Sequence, residues 1–257
     1  MIKPLISSLK DGFIVSCQAQ EHEPLYGSDI MAAMAAAAEA GGASAIRANT
    51  PQDISSIKNR CKLPIIGLYK KHYPDSDVYI TPTLREVDQV IRAGADIVAI
   101  DSTSMTRPGN EKLDRLIAEI RKSFPDTSIM ADISTFEEGA MAMQLGVDVV
   151  STTMSGYTPY SPKLQTPDFE LIGKLSALGQ VPVFAEGRIW TIEECLRCYE
   201  AGAHAVVIGT AITRPQEVVR RFVTRIKTKM QVQHEEEARG NNRNAAHSYA
   251  KGNNPQE

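Results

Sequence analysis

Four times along the chain, an amphipathic stretch ends in a glycine and is followed at once by a short apolar run. The four segments are AEAGGASAIRAN, IRAGADIVAID, MQLGVDVVSTT and YEAGAHAVVIGT. Glycine readily adopts the left-handed conformation that ends a helix, and short apolar runs are typical of strands that are buried on both faces. The repeat therefore predicts helices that alternate with parallel strands.

Eight apolar runs are candidate strands. They are Phe13–Cys17, Ala45–Ala48, Ile65–Tyr69, Ile97–Asp101, Ser128–Asp132, Val149–Thr153, Val181–Glu186 and Ala205–Gly209. The intervals between them are mostly helical in periodicity, which suits crossover helices. Eight such units without a Gly-x-Gly-x-x-Gly motif favour a single-domain (β/α)8 barrel. The alternative is an open, doubly wound α/β sheet.

Length and charge narrow the class of protein. A chain of 257 residues fits one domain of this kind. The formal net charge of −3 gives no electrostatic reason to expect nucleic acid or an anionic membrane as a partner. The first residues do not resemble an export signal, and no run is long enough for a membrane helix, so we expect a cytoplasmic protein.

The composition changes near Lys229. The segment after it lacks Ile, Leu, Phe and Trp and is rich in Asn, Glu and Gly. Such a segment buries too little apolar surface to offset its ordering entropy. We therefore predict a catalytic barrel over residues 1–228 and a polar, mobile tail over residues 229–257.

A Cys-x-x-Cys pair raises the question of a metal or redox site. Cys195 and Cys198 lie in the helical pattern TIEECLRCYEAGA and have no second cysteine pair or histidine cluster beside them. We therefore interpret both cysteines as small residues buried on one face of a helix. His22, His72 and His204 are scattered, so we expect no metal held by the protein.

Polar residues follow the predicted strands, where the active sites of such barrels lie. They are Ser16, Cys17, Gln18, Arg47, Asn49, Lys70, Lys71, Asp101, Asp132, Ser134, Thr152, Thr153, Glu186, Arg188, Gly209 and Thr210. A lysine held in a barrel mouth beside another cation has a lowered pKa, so Lys70 is a candidate base or Schiff-base former. The alternative is a solvated loop lysine.

Carboxylates that follow apolar strands are costly unless they are paired or used in chemistry. Glu186 and Asp132 are therefore candidate site residues, and a salt bridge from Glu186 to Arg188 or Arg47 is the plain structural alternative. Asp101 is a candidate cap for the backbone amides that follow it.

The last two strands predict a phosphate site. Gly187 and Gly209 stand where strands seven and eight end, and loops at these positions present backbone amides to phosphate in many barrels. Arg188 and Arg214 would supply positive charge there.

Longer segments resemble a known family. They are IVSCQA with EPLYG, IRANTPQDI, PIIGLYKKHYPDSDVYITPT, MADIST, STTMSGYTPYS, PDFELI, FAEGRI and GTAITRPQEVVRRF. From Gly12 to Phe222 the chain is similar to N-acetylmannosamine-6-phosphate 2-epimerases. The resemblance implies a metal-independent epimerase of sialic acid and amino-sugar breakdown that acts on a phosphosugar and needs no cofactor.

The same resemblance implies roles for individual residues. Lys70 would be the acid/base at carbon 2 of the sugar, and Glu186 its catalytic companion. Three positions would hold the sugar and its N-acetyl group: Gln18, Arg47 and Asp132. Three further positions would meet the phosphate: Gly187, Gly209 and Arg214.

The chain departs from the family pattern in one loop, and other functions fit parts of the sequence. The family tends to carry an arginine- and proline-rich loop where this chain has DSTSMTRPGN, with Arg107 alone. Other readings are a ribulose-phosphate 3-epimerase, a Schiff-base aldolase or a non-catalytic sugar-phosphate sensor. The alanine-rich segment MAAMAAAAEA would serve either a homodimer or packing on the barrel.

Overall fold

The computed structural model describes residues 2–251, with side chains described for residues 2–234. Within this range, eight parallel strands close into a barrel in sequence order. They are β1 (Gly12–Cys17), β2 (Ala45–Asn49), β3 (Ile65–Leu68), β4 (Ile97–Asp101), β5 (Ser128–Asp132), β6 (Val149–Ser151), β7 (Val183–Glu186) and β8 (Ala205–Ile208). The predicted closed barrel is confirmed, and the open sheet is excluded by the pairing of β1 with β8.

Helices cover the outside of the barrel and its ends. They are α1 (Pro4–Ser8), α2 (Ser28–Ala40), α3 (Pro51–Arg60), α4 (Leu84–Arg92), α5 (Leu113–Ser123), α6 (Phe136–Gln144), α7 (Phe169–Ala177), α8 (Ile192–Glu200) and α9 (Thr210–Thr213). A separate helix, α10 (Pro215–Lys251), comes after them in the chain. The predicted glycine stops are confirmed, since Gly42, Gly94, Gly146 and Gly202 all have positive φ. Each lets the chain turn from a helix into the next strand.

Strands β3 and β8 each end one residue before their predicted ends, and β6 and β7 are each two residues shorter than predicted, for local reasons. Pro182 lacks a backbone N–H, so β7 begins at Val183 rather than Val181. After β6 the chain turns into a 3₁₀ segment, Thr152–Met154, which ends the strand at Ser151.

Inward and outward residues alternate along the strands. On β4, Ile97 and Ala99 belong to the interior cluster, whereas Val98 and Ile100 pack in the outer layer against the helices. The interior cluster also contains Ile6 and Leu9, the latter directly after α1, so the amino-terminal segment takes part in the packing inside the barrel. The barrel is therefore a filled core with one open mouth.

Backbone packing separates Met1–Arg214 from the segment that starts at Pro215. Residues 229–251, which lie in the predicted tail, continue helix α10. The end of that tail, residues 252–257, lies outside the described residues. The boundary at residues 228 and 229, and the mobility of the tail, stay predictions.

Candidate active site

The candidate site residues occupy inward positions at the carboxyl ends of the strands. On β3, Ile66 and Leu68 belong to the interior cluster, and Lys70 follows two residues later. On β7, Phe184 is interior and Glu186 follows it. The same period of two gives inward positions to Gln18, Arg47, Asp101, Asp132, Ser151 and Gly209.

A cavity of about 1230 Å³ opens at this end of the barrel. Nine of the ten predicted site residues line it: Gln18, Arg47, Lys70, Glu186, Gly187, Arg188, Gly209, Thr210 and Arg214. The tenth, Asp132, is fully buried and pairs with Arg47. The cavity is large enough to enclose a small organic ligand.

Three strands contribute to a buried charge cluster on the wall of this cavity. Arg47 on β2 forms two bonds with Asp132 on β5, with Nη2–Oδ2 at 2.6 Å and Nη1–Oδ1 at 3.1 Å. Its Nη1 also lies 3.1 Å from Oε2 of Glu186 on β7. Arg47 is thus the partner of Glu186, and the alternative pairing with Arg188 is wrong.

A threonine hydroxyl joins the two carboxylates of this cluster. Thr153 follows β6, and its Oγ1 lies 2.8 Å from Asp132 Oδ1 and 2.9 Å from Glu186 Oε2. Burial raises the pKa of the Glu186 carboxyl, and the charge of Arg47 opposes this rise while that of Asp132 adds to it. Glu186 is therefore biased toward its protonated form.

Lys70 follows β3, which pairs with the strand of Arg47, β2. Its backbone N–H donates to Asn49 Oδ1 at 2.8 Å, and Lys70 pairs with Ile80 in an isolated antiparallel bridge. Burial, then the charges of Arg47 and Arg214, lower the pKa of the Lys70 ammonium to about 8. The predicted lowering is confirmed, although its neighbouring cations are these two arginines.

Lys71, next along the chain, occupies a different environment. Its ammonium lies 5.5 Å from the centre of the Tyr69 ring, and the side chain is exposed. This is a cation–π contact at the surface.

Gln18 offers an unused acceptor. Its Nε2 donates to Ser16 Oγ at 2.9 Å, whereas its Oε1 is buried and has no hydrogen-bond partner among the described residues. A buried carbonyl oxygen without a partner is costly, so a ligand N–H or O–H at this position would be stabilising.

The part of the cavity wall that follows β7 and β8 presents backbone amides and an arginine. Gly187 has a φ of 111°, which favours glycine, and a side chain there would point into open space. Gly209 precedes α9, whose first amides, on Thr210 and Ala211, lack intrahelical acceptors. Arg214 forms an ion pair of 3.0 Å with Glu23, a residue that sequence reasoning had given no role.

Arg188 has a side-chain role that the sequence did not reveal. Its Nε donates to the carbonyl of Thr166 at 2.9 Å, and its Nη1 donates to the carbonyl of Ser155. The guanidinium thereby ties both ends of the loop 155–168 to the end of β7.

The loop after β4 is braced from inside the protein. Asp101 Oδ1 accepts the backbone N–H of Thr103 at 3.0 Å, as predicted for a cap. Arg107 is buried and donates to the carbonyls of Asp101 and Pro82. The Arg107 side chain thus binds the loop to Pro82 and to the end of β4, and it does not line the cavity.

The prediction that the two cysteines are buried helix residues is confirmed. Cys195 and Cys198 lie on α8 and are buried. Among the side chains described, no three His, Cys, Asp or Glu residues converge as metal ligands would. No helix within the described residues is both long and apolar enough to cross a membrane.

The family model described as "Putative N-acetylmannosamine-6-phosphate epimerase" matches residues 31–228. The chain belongs to this family. A relative from Caldanaerobacter subterraneus subsp. tengcongensis is 56% identical over 223 residues, which cover 87% of this chain and 94% of the relative. One from Clostridium perfringens is 47% identical over 223 residues, 87% of this chain and 100% of the relative. Both carry the name "Putative N-acetylmannosamine-6-phosphate 2-epimerase".

Solved structures agree with this family assignment. The N-acetylmannosamine-6-phosphate 2-epimerase from Clostridium perfringens has a TM-score of 0.83 and is 46% identical, over 86% of this chain and 96% of that one. An aldolase, QR15, has a TM-score of 0.56 at 18% identity over 85% of this chain and 98% of that one, and this likeness shows the fold alone. The resemblance seen in the sequence is confirmed.

Proposed function

We propose that this member of the N-acetylmannosamine-6-phosphate epimerase family interconverts N-acetylmannosamine 6-phosphate and N-acetylglucosamine 6-phosphate. The observation that carries the proposal is the pairing, in one cavity, of Lys70 with a lowered pKa and Glu186 with a raised pKa. Two groups whose environments shift their pKa values toward neutrality are suited to act as base and acid. Family membership supplies the substrate.

Proton removal is assigned to Lys70. In the open-chain sugar, the proton at carbon 2 is acidic because it neighbours the aldehyde. With a pKa of about 8, roughly one-tenth of Lys70 is free amine at pH 7, about 300-fold more than for an ordinary lysine. The free amine takes the proton and leaves an enolate.

Charge on the enolate requires stabilisation. Arg47 places a buried cation on the cavity wall, and the protonated Glu186 is a donor for the developing oxyanion or for carbon 2. Return of a proton to the opposite face of carbon 2 inverts the centre. The chemistry uses no metal or organic cofactor.

Two sets of groups in the cavity suit two parts of the substrate. The free Oε1 of Gln18 would accept a hydrogen bond from the N-acetyl group or a sugar hydroxyl. The amides near Gly187, Gly209 and Thr210, together with Arg214, would hold the phosphate. This local cluster is the positive region that an anionic ligand needs in a chain of net charge −3.

We place the reaction in the breakdown of sialic acid and related amino sugars, and the protein in the cytoplasm. The four cysteines are free thiols, which suits a reducing compartment.

We also propose that the protein is a homodimer. The buried residues Met31, Ala32 and Ala35 of α2 pack in the barrel's outer layer, so the alanine-rich segment needs no second copy to cover it. Helix α10 instead carries an exposed apolar stripe at helical spacing: Val219, Phe222, Val223, Ile226 and Met230.

Proton NMR of N-acetylmannosamine 6-phosphate with the purified protein in deuterated water tests the function. The expected result is the gluco epimer with deuterium at carbon 2. The epimer with hydrogen retained would keep the function and point to a shielded single base. An unchanged substrate with well-folded protein would reject the epimerase and favour the sensor.

A further inference from the structure

The Thr153 hydroxyl has more close oxygen neighbours than its single proton can serve. Asp132 Oδ1 lies at 2.8 Å, Glu186 Oε2 at 2.9 Å and Ser151 Oγ at 2.9 Å. Asp132 is fully buried, and the Glu186 side chain is 14% exposed. Little bulk water therefore separates these oxygens.

The number of protons decides whether this cluster is stable. A hydroxyl has one proton to donate and two lone pairs that accept. If both carboxylates were ionised, Thr153 would donate to one of them and would face lone pairs of the other at hydrogen-bond distance. If one carboxyl is protonated, all three contacts become hydrogen bonds. Ser151 and that carboxyl then donate to Thr153, and Thr153 donates to the second carboxylate.

The arginine contacts indicate which carboxyl holds the proton. Arg47 binds both oxygens of Asp132, at 2.6 Å and 3.1 Å, but only one oxygen of Glu186, at 3.1 Å. A bidentate arginine pair stabilises the ionised carboxylate, so Asp132 stays charged. Glu186 is left with the proton.

This arrangement also affects Lys70. Four groups affect the pKa of Glu186 through their charge or a hydrogen bond. They are Arg47 on β2, Lys70 after β3, Asp132 on β5 and Thr153 after β6. With Glu186 neutral, the charges of Arg47 and Asp132 balance each other. Lys70 then has no unpaired anion beside it, which favours its free amine.

We propose that Thr153, assisted by Ser151, is a positioning residue that holds Glu186 as a neutral acid in the free enzyme. The hydroxyl bridge thereby keeps the acid protonated while Lys70 is free to act as the base. The consequence for turnover rests on the proposed epimerase function. The protonation state itself is a property of the protein without substrate.

Infrared difference spectroscopy tests the protonation state directly. The spectrum of the free wild-type protein minus that of Glu186→Gln at pH 7 is expected to contain the carbonyl stretch of a protonated carboxyl group. Thr153→Val is expected to weaken or shift this band, because the carboxyl loses its hydrogen-bond acceptor and holds its proton less well, and Thr153→Ser is expected to keep it in place. A band of unchanged position and intensity in Thr153→Val overturns the role of Thr153. Absence of the band from the wild-type difference spectrum overturns the proposal.

A matched control separates this bridge from the general effect of losing a buried hydroxyl. Thr103 follows β4 and donates to Asp101 Oδ1 at 2.6 Å, and Thr103 does not line the cavity. Thr103→Val is therefore expected to leave the Glu186 band unchanged. A band shift as large as that in Thr153→Val would overturn the specific role of Thr153.

Turnover provides the second readout. Since acid–base catalysis contributes about 10²- to 10⁴-fold, we expect Thr153→Val to lower kcat about 100-fold with KM nearly unchanged. Thr153→Ser is expected to restore most of the rate. Wild-type kcat in Thr153→Val overturns the proposal. A wild-type protein that shows the band but no turnover would reject the epimerase function and leave the shared proton standing.

Should Thr153→Val fail to fold, Ser151→Ala takes its place. This variant removes a donor to Thr153 Oγ1 and is expected to shift the Glu186 band in the free protein by a smaller amount. An unshifted band in Ser151→Ala would overturn the assisting role of Ser151.

Discussion

Lys70 and Lys71 are adjacent in the chain but differ in what surrounds them. Lys70 is half-buried in the cavity near two arginines, and Lys71 lies at the surface against Tyr69. We expect Lys70→Ala to lower kcat/KM by about 10³-fold or more, because the base is lost, and Lys71→Ala to change it only slightly. Steady-state kinetics with circular dichroism of each variant would check this, and comparable losses in the two variants would contradict the assignment.

The lowered pKa of Lys70 sets the pH dependence of the reaction. Lysine becomes a base only when it loses its proton, so kcat/KM is expected to rise as the pH approaches the Lys70 pKa of about 8 and to fall once Glu186 loses its proton. Because Arg214 contributes to the lowering, Arg214→Met is expected to raise the pKa of Lys70 and to move this limb to higher pH. If kcat/KM of Arg214→Met rises over the same pH range as that of the wild type, Arg214 does not lower the pKa of Lys70.

Lys70 also links pH to stability. Its pKa is lower in the folded protein than the ordinary 10.5. Between about 8 and 10.5 the unfolded chain therefore binds more protons at this residue, and the contribution of Lys70 to stability rises with pH. Urea unfolding of wild type and Lys70→Met at several pH values in this range measures the effect. The free energy of unfolding should increase with pH in both proteins, and the increase should be smaller in Lys70→Met.

Arg47 has a structural as well as a catalytic role. Replacing it by Met leaves Asp132 as a buried, unpaired charge, so the free energy of unfolding should fall by about 3–5 kcal/mol. Arg92, whose pair with Asp88 is exposed, is the control, and Arg92→Met should cost less than about 1 kcal/mol. Urea denaturation measures the free energy of unfolding of both variants. Equal decreases in Arg47→Met and Arg92→Met would contradict the structural role of the Arg47–Asp132 pair.

At the scale of elements, the loop 155–168 is held as a fixed wall beside the cavity. Arg188 binds its carbonyls, and Lys163 donates to the carbonyls of Gly156 and Thr158 at 2.8 Å each. We expect Arg188→Ala to loosen the loop and to increase the rate of trypsin cleavage after Lys163. Arg92→Ala on α4 should leave the rate unchanged, and no difference between the two variants would mean that Arg188 does not hold the loop.

At the scale of the whole molecule, the proposed dimer can be tested on helix α10. Phe222→Asp combined with Ile226→Asp places two charges on the exposed apolar stripe, and light scattering should then report a monomer. Thr224→Asp adds a charge on another face of the same helix and should leave a dimer. A wild-type protein that is monomeric at micromolar concentration would reject the dimer itself.

The barrel itself was largely readable from the sequence. Glycine stops, apolar runs and crossover lengths are local signals, because helix ends and strand burial depend on nearby residues. The position of Lys70 and Glu186 at the ends of apolar runs also predicted that both lie at one mouth of the barrel. Most candidate residues therefore emerged from the pattern alone, and the family resemblance added the substrate.

Only the closed barrel decided which of these side chains meet. Arg47, Asp132 and Glu186 are far apart in sequence and come from β2, β5 and β7, so their pairing depends on the register and closure of the sheet. The same holds for Thr153, whose short turn after β6 places its hydroxyl between two carboxylates, and for Arg188, which binds the loop 155–168 beside the cavity. Local sequence fixes the direction in which a side chain points, whereas its charge environment depends on strands that folding alone brings together.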